Sequence, residues 1–228
     1  MLISEVFYSI QGEGMLTGTP SVFVRTSGCN LRCIWCDTPY TSWNPEGTER
    51  SVAHIVDDVA VFGARHVVVT GGEPTIAPEI ANLCTALRDE GHHVTLETAA
   101  TVLKPIPCDL ASISPKLANS TPPAPDGGAW AQRHESRRIN LDAIRHYLHA
   151  PDYQLKFVVQ READLNEINA LLAQIETFDR HRVFLMPEGV TESALNERAT
   201  WMVEACKRRG FRFCPRLQIH LFGNRRGT

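Results

Sequence analysis

A chain of 228 residues, 43% hydrophobic and 21% charged, falls within the range of one ordinary domain, here read as 1–228, and is long enough to bury a core without disulfide or metal staples. That composition excludes a disordered chain or a coiled coil, and no apolar run reaches the length of a bilayer span. A formal net charge of −3 gives no electrostatic reason to expect nucleic acid, and the basic tail carrying Arg208, Arg209, Arg212, Arg216, Arg225 and Arg226 fits a solvated face or an anionic small-molecule pocket.

The opening MLISEVFYSIQGEG has neither a basic leader nor a continuous apolar stretch, so the expectation is a cytoplasmic protein with reduced thiols and no membrane association. In chain order, β-branched or apolar runs predict strands at Ser21–Ser27, His66–Gly71, His93–Thr98, Leu110–Ser114, Gln154–Val159, Arg182–Met186 and Phe211–Leu217. Between them the spacing predicts helices at Val52–Phe62, Pro78–Glu90, Asp142–His149, Leu165–Thr177 and Ser193–Arg209, with Asp164 and Thr191 as N-caps. Such alternation implies an α/β fold, a parallel sheet with helices outside. Eight full βα units need about 250 residues, and the third and fourth strands are joined too tightly for a helix. The expectation is therefore an incomplete TIM-type barrel of parallel strands. NSTPPAPDGG at Asn119–Gly128 reads as a loop within a Pro-rich excursion of about 117–138.

Three of the seven cysteines crowd into Gly28-Cys29-Asn30-Leu31-Arg32-Cys33-Ile34-Trp35-Cys36-Asp37, directly after a predicted strand, in a loop read as 28–38. Three thiolates on one tight loop suit three irons of a four-iron four-sulfur cluster, leaving the fourth iron free to take a ligand's amino and carboxylate groups. The competing reading is structural zinc in a binding module without catalysis. Zinc needs a fourth ligand, which His54 could supply by sequence distance. Cys84, Cys108, Cys206 and Cys214 are isolated and read as small buried residues.

Cys-x3-Cys-x2-Cys with Trp35 before the last cysteine resembles the signature of the radical S-adenosylmethionine (SAM) superfamily, and Thr70-Gly71-Gly72-Glu73-Pro74 resembles its SAM-binding turn. Within that superfamily the chain is similar, nearly end to end, to the 7-carboxy-7-deazaguanine synthase family. The resemblance rests on Tyr8-Ser9-Ile10-Gln11-Gly12-Glu13-Gly14, Arg25, Asp37-Thr38, Ser114-Pro115-Lys116, Met186-Pro187-Glu188-Gly189 and the terminal Arg-Gly-Thr.

The resemblance implies a radical lyase acting on 6-carboxytetrahydropterin, with ring contraction and loss of ammonia in queuosine and deazapurine biosynthesis. It implies cluster ligation by Cys29, Cys33 and Cys36. SAM is expected at Trp35, Cys36, Asp37, Gly71, Gly72, Glu73, Ser114, Pro115, Lys116, Met186, Pro187, Glu188 and Gly189. The substrate is expected at Ile10, Gln11, Gly12, Glu13, Arg25, Thr70, Glu97, His220 and Thr228, and magnesium at Thr38 with the substrate carboxylate, a hard cation on oxygen ligands. An electron donor such as flavodoxin or ferredoxin and a homodimer are further expectations of the resemblance.

Bland alternatives stay open for several of these residues. Arg25 also fits a surface ion pair, Gln11 and Glu13 a glycine turn, Thr70 a plain strand position, Ser114 and Lys116 a strand end, His220 an apolar tail and Thr228 a frayed end. Glu97-Thr98-Ala99-Ala100-Thr101 departs from the family pattern, which has asparagine and glycine after the threonine. A glycyl-radical activase shares the cluster and the SAM turn, but Ile10–Glu13 with Arg25 favours a small carboxylated substrate over a protein one.

Overall fold

Alternate residues of the strands face two different environments. Val22, Val24, Val67, Val69, Val94, Leu96, Ala111, Ile113, Leu155, Phe157, Val159, Val183 and Leu185 belong to one buried apolar cluster, shared with the helices. Their neighbours in sequence point to the opposite face, because side chains alternate along a strand, and many of them, among them Arg25, Thr70, Glu97, Ser112, Gln154 and Lys156, are polar. The outward face packs on helices and the inward face lines a cavity.

The computed structural model describes residues 1–123 and 128–228. Strands β1 (Leu2–Ile10), β2 (Pro20–Thr26), β3 (Thr48–Glu49), β4 (His66–Gly71), β5 (His93–Thr98), β6 (Leu110–Ile113), β7 (Asp152–Val159), β8 (Val183–Pro187) and β9 (Arg212–Phe213) form one sheet in the order β3-β1-β2-β4-β5-β6-β7-β8-β9. From β2 to β9 every pairing is parallel, while β1 pairs antiparallel with β2 and β3. The sheet is open, with β3 and β9 at its edges, as an incomplete barrel requires. Helices α2 (Val52–Ala60), α3 (Ile80–Asp89), α5 (Leu141–Tyr147), α6 (Asp164–Ile175) and α7 (Glu192–Arg209) bury Ile55, Leu83, Ile144, Ile168 and Met202 against the outer face. No helix joins β5 to β6, as the short connection predicts.

The structure departs from the sequence reading at several elements. β1 was not predicted: it is half-buried along most of its length and shows no clean period of two. The predicted strand Phe211–Leu217 contracts to β9, and helix α8 (Leu217–Phe222) follows Pro215. Thr191 caps α7 by accepting from the Ala194 N–H at 3.3 Å, but Asp164 lies inside α6 and accepts from the backbone of Gln160 and the side chain of Asn119 instead. The excursion carries structure beyond its loop: Ala118–Ser120 forms a tight turn and Gly128–Arg137 forms α4, while the loop reading of 124–127 lies outside the described residues. Among the described residues no helix is long and apolar enough to cross a membrane.

Candidate active site

The C-terminal ends of the parallel strands open into a cavity of about 530 Å³, within the size range of small-molecule sites. Cys29, Cys33 and Cys36 all line it. Their loop leaves β2 and continues into α1 (Pro39–Ser42), and its backbone is fixed from several sides. Gly28 donates to the Thr41 carbonyl at 2.8 Å, Ile34 to Ser120 at 2.9 Å, and the Trp35 indole to Asn119 at 3.0 Å. Burial pushes the Cys29 and Cys33 thiols up to about 12, so metal-free protein holds them protonated and cluster assembly must release protons.

The donor set fits a cubane cluster better than zinc. Among the described residues no three His, Cys, Asp or Glu side chains converge on a single-ion site. Thiolates that each serve a different iron need no such convergence. His54, the fourth ligand that zinc would require, is exposed on α2 and does not line the cavity. Cys84, Cys108 and Cys206 are buried in the helix-facing core, and Cys214 is buried with its sulfur accepting from the Gly14 N–H at 3.1 Å.

Thr70, Gly71 and Gly72 line the cavity at the end of β4. The two glycines have a local reason: a Cβ on Gly71 would overlap the Thr26 backbone and one on Gly72 the Gly28 carbonyl, so only glycine lets this turn dock on the cluster loop. Glu73 is buried and outside the lining. Its carboxylate accepts from Thr98 Oγ1 at 2.6 Å, Thr75 Oγ1 at 2.7 Å and the Ala99 N–H at 2.8 Å, which ties the β4 turn to the end of β5. Trp35, Asp37, Ser114, Lys116, Met186 and Glu188 line the cavity, with the Lys116 ammonium donating to the Ser114 carbonyl at 2.6 Å; Pro115, Pro187 and Gly189 do not line it. Thr38 does, and its hydroxyl leaves the N-terminus of α1 uncapped.

Ile10, Gln11, Gly12, Glu13, Arg25, Glu97 and Thr228 make up another part of the wall. Gln11 Nε2 donates to Glu97 at 3.2 Å and Thr70 Oγ1 donates to its other oxygen at 3.3 Å. Lys156 on β7 reaches Glu13 at 2.5 Å and Glu97 at 3.6 Å, while Gln218 and Arg216 also donate to Glu13, at 2.9 and 3.1 Å. Burial alone would raise the Glu13 pKa, but Lys156 and Arg216 hold it far below the carboxylate range. Burial opposes the Lys156 charge, yet Glu13 and Glu97 raise its pKa further. Arg25 spends its Nε on Glu5 at 2.7 Å, a bond that uses neither terminal nitrogen, and Glu5 also accepts from the Tyr40 hydroxyl at 2.9 Å.

His220 does not join the site. It is exposed, and its Nδ1 lies 4.0 Å from Glu192. The chain turns helical at Leu217, so positions 218 and 220 point roughly 200° apart, and Gln218 takes the inward place. Lys156, Gln218, Glu5 and Tyr40 line or brace this wall although the sequence does not single them out, and Arg216 stands out there only as one arginine of the basic tail. The one legible signal was polar Gln154 and Lys156 alternating within a parallel strand, which is otherwise apolar when covered on both faces.

Residues 23–215 match the Radical SAM superfamily. The chain is 48% identical to a 7-carboxy-7-deazaguanine synthase of Rhodopirellula baltica over 100% of its own length and 89% of the relative's. It is 47% identical to one of Halobacterium salinarum, over 97% and 90% of the two chains. The crystal structure of QueE from Escherichia coli superposes with a TM-score of 0.68 at 26% identity, covering 93% of this chain and 92% of that one. The chain belongs to the radical SAM superfamily and, within it, to the 7-carboxy-7-deazaguanine synthase family.

Proposed function

We propose that this protein converts 6-carboxy-5,6,7,8-tetrahydropterin to 7-carboxy-7-deazaguanine with loss of ammonia, in queuosine and deazapurine biosynthesis. One observation carries the reading: a guanidinium, Arg25, and a wall of amide and carboxylate groups, Gln11, Glu13 and Glu97, share a cavity with three thiols at cluster spacing. As a radical SAM protein the chain uses a four-iron four-sulfur cluster and SAM; when bound, they supply the 5′-deoxyadenosyl radical for removing hydrogen from the carbon bearing the substrate carboxylate, and SAM is regenerated.

The chain's own residues hold and orient. Cys29, Cys33 and Cys36 ligate the cluster. The backbone at Gly71–Gly72, Ser114 and Lys116, Met186 and Glu188, and the Trp35–Asp37 segment surround SAM. Glu13 and Glu97 accept from the pterin amino group and ring N–H, Gln11 meets its mixed edge, and Arg25 offers a planar fork to the carboxylate. Thr38 supports magnesium as an oxygen ligand beside that carboxylate. A low-potential donor such as flavodoxin or ferredoxin, a homodimer and a cytoplasmic setting complete the reading.

The test is anaerobic incubation of reconstituted protein with SAM, reductant, magnesium and the carboxylated pterin, followed by mass detection of the deazaguanine product. A charge-assisted pair contributes roughly 1.5–3 kcal/mol. Arg25→Ala is therefore expected to lose about tenfold or more in kcat/KM while keeping its iron, with Arg25→Lys restoring only part. No product from the parent, or a parent rate from Arg25→Ala, defeats the assignment.

A further inference from the structure

The guanidinium of Arg216, in the stretch between β9 and α8, is buried and touches three separate segments. Its Nε donates to Glu13 at 3.1 Å, its Nη1 to the Gly189 carbonyl at 2.6 Å, and its Nη2 to the carboxylate of Asp37, the residue after the third cluster cysteine. Glu13 belongs to the substrate wall, whereas Asp37 lies on the SAM side and Gly189 directly follows Glu188, which lines that side too.

We propose that Arg216 is a positioning residue that couples the two subsites, so that filling the pterin wall raises affinity for SAM and the reverse. The inference rests on the assignment of those subsites made above. An arginine fork is planar and rigid, so a shift of one partner re-aims the hydrogen bonds to the others. Glu13 holds one end of this connection, because its carboxylate also accepts from Lys156 and Gln218. A pterin donor that draws on Glu13 pulls on Arg216, which sets the Gly189 carbonyl and the Asp37 carboxylate. The path is an unbroken chain of hydrogen bonds, and coupling of this kind is reciprocal in binding free energy. A purely structural role for Arg216 predicts lower stability with each ligand bound independently of the other.

The experiment titrates SAM into cluster-loaded, unreduced protein with and without 6-carboxytetrahydropterin, and the pterin with and without SAM, reading both dissociation constants by calorimetry. The parent is expected to show mutual tightening of about fivefold or more, equal in both directions. In Arg216→Gln this factor falls to about one, with iron content and helix content unchanged. Arg216→Lys keeps the charge that balances Glu13 and Asp37 but cannot reach three partners from one ammonium. It is expected to lose most of the coupling, and it decides the matter if the glutamine variant does not fold. Undiminished coupling in Arg216→Lys, or no coupling in a parent that binds both ligands, overturns the proposal for Arg216 alone. A parent that binds the carboxylated pterin no better than a pterin lacking the carboxylate overturns the substrate reading beneath it.

Discussion

Ala100 adopts a φ of 53°, the left-handed region that favours glycine, and it does so where the family pattern has glycine. Its methyl is fully buried in the helix-facing core. Replacing a buried alanine by glycine ordinarily costs about 1.5 kcal/mol, from the lost methyl and the added freedom of the unfolded chain. At position 100, relief of about 1–2 kcal/mol of backbone strain offsets that cost. Ala100→Gly is thus expected to be near neutral in urea unfolding, whereas Ala111→Gly, equally buried but in strand β6, is expected to lose about 1.5 kcal/mol. Equal losses at the two sites would remove the strain argument. Which residues line the cavity was partly legible in the sequence: the three cysteines stand out by their spacing, and the Gly71–Gly72 turn by its resemblance to the superfamily's SAM-binding turn. Arg216, Gln218 and Lys156 do not, because their role depends on a helix turn at 217 and on partners up to 205 residues apart, as between Gln218 and Glu13.

At the scale of elements, the parallel strands β2 and β4 to β8 and the long helices follow the predicted spans, because each carries an apolar face long enough to show its period. α4 was hidden, since its mean polarity is high and its one fully buried side chain is His134. That histidine fastens the excursion to the cluster loop, accepting from the Arg32 N–H at 3.2 Å and bonding Ser120 Oγ at 2.9 Å. Burial lowers its pKa from 6.5 to about 4, with Glu135 opposing and Arg138 and Lys116 assisting. The unfolded chain therefore takes up a proton first as the pH falls. Stability from this site is complete above about pH 6.5 and declines toward pH 4, by about 3 kcal/mol in all. His66, also shifted down by burial and by His93 and Arg65, acts in the same direction. Urea midpoints of cluster-free protein at pH 7.5 and 4.5 are expected to differ more in the parent than in His134→Gln. An identical pH slope in the two proteins sinks this account.

Over the whole molecule, the sheet divides a helix-facing apolar side from a polar cavity side, and both terminal segments converge on the cavity mouth. Arg226 is one contact at that mouth: it lies 3.1 Å from Glu46 and 3.5 Å from Glu5 and stacks 4.2 Å from the Tyr40 ring centroid. Residues 223–226 and Thr228 line the cavity alongside Arg25, whose partner is that same Glu5. Arg226 is about half exposed, and exposed pairs contribute under about 1 kcal/mol each. Its removal should not unfold the protein; it should free the tail and weaken the brace behind Arg25. Arg226→Ala is accordingly expected to keep iron content and kcat while raising KM for the carboxylated pterin about threefold to tenfold, the equivalent of roughly 0.6–1.4 kcal/mol. Because salt screens exposed pairs, the KM of the parent should climb with ionic strength and approach that of the variant. A fall in kcat at constant KM, or a gap between the two proteins that salt does not narrow, would show that the tail acts through something other than these ion pairs.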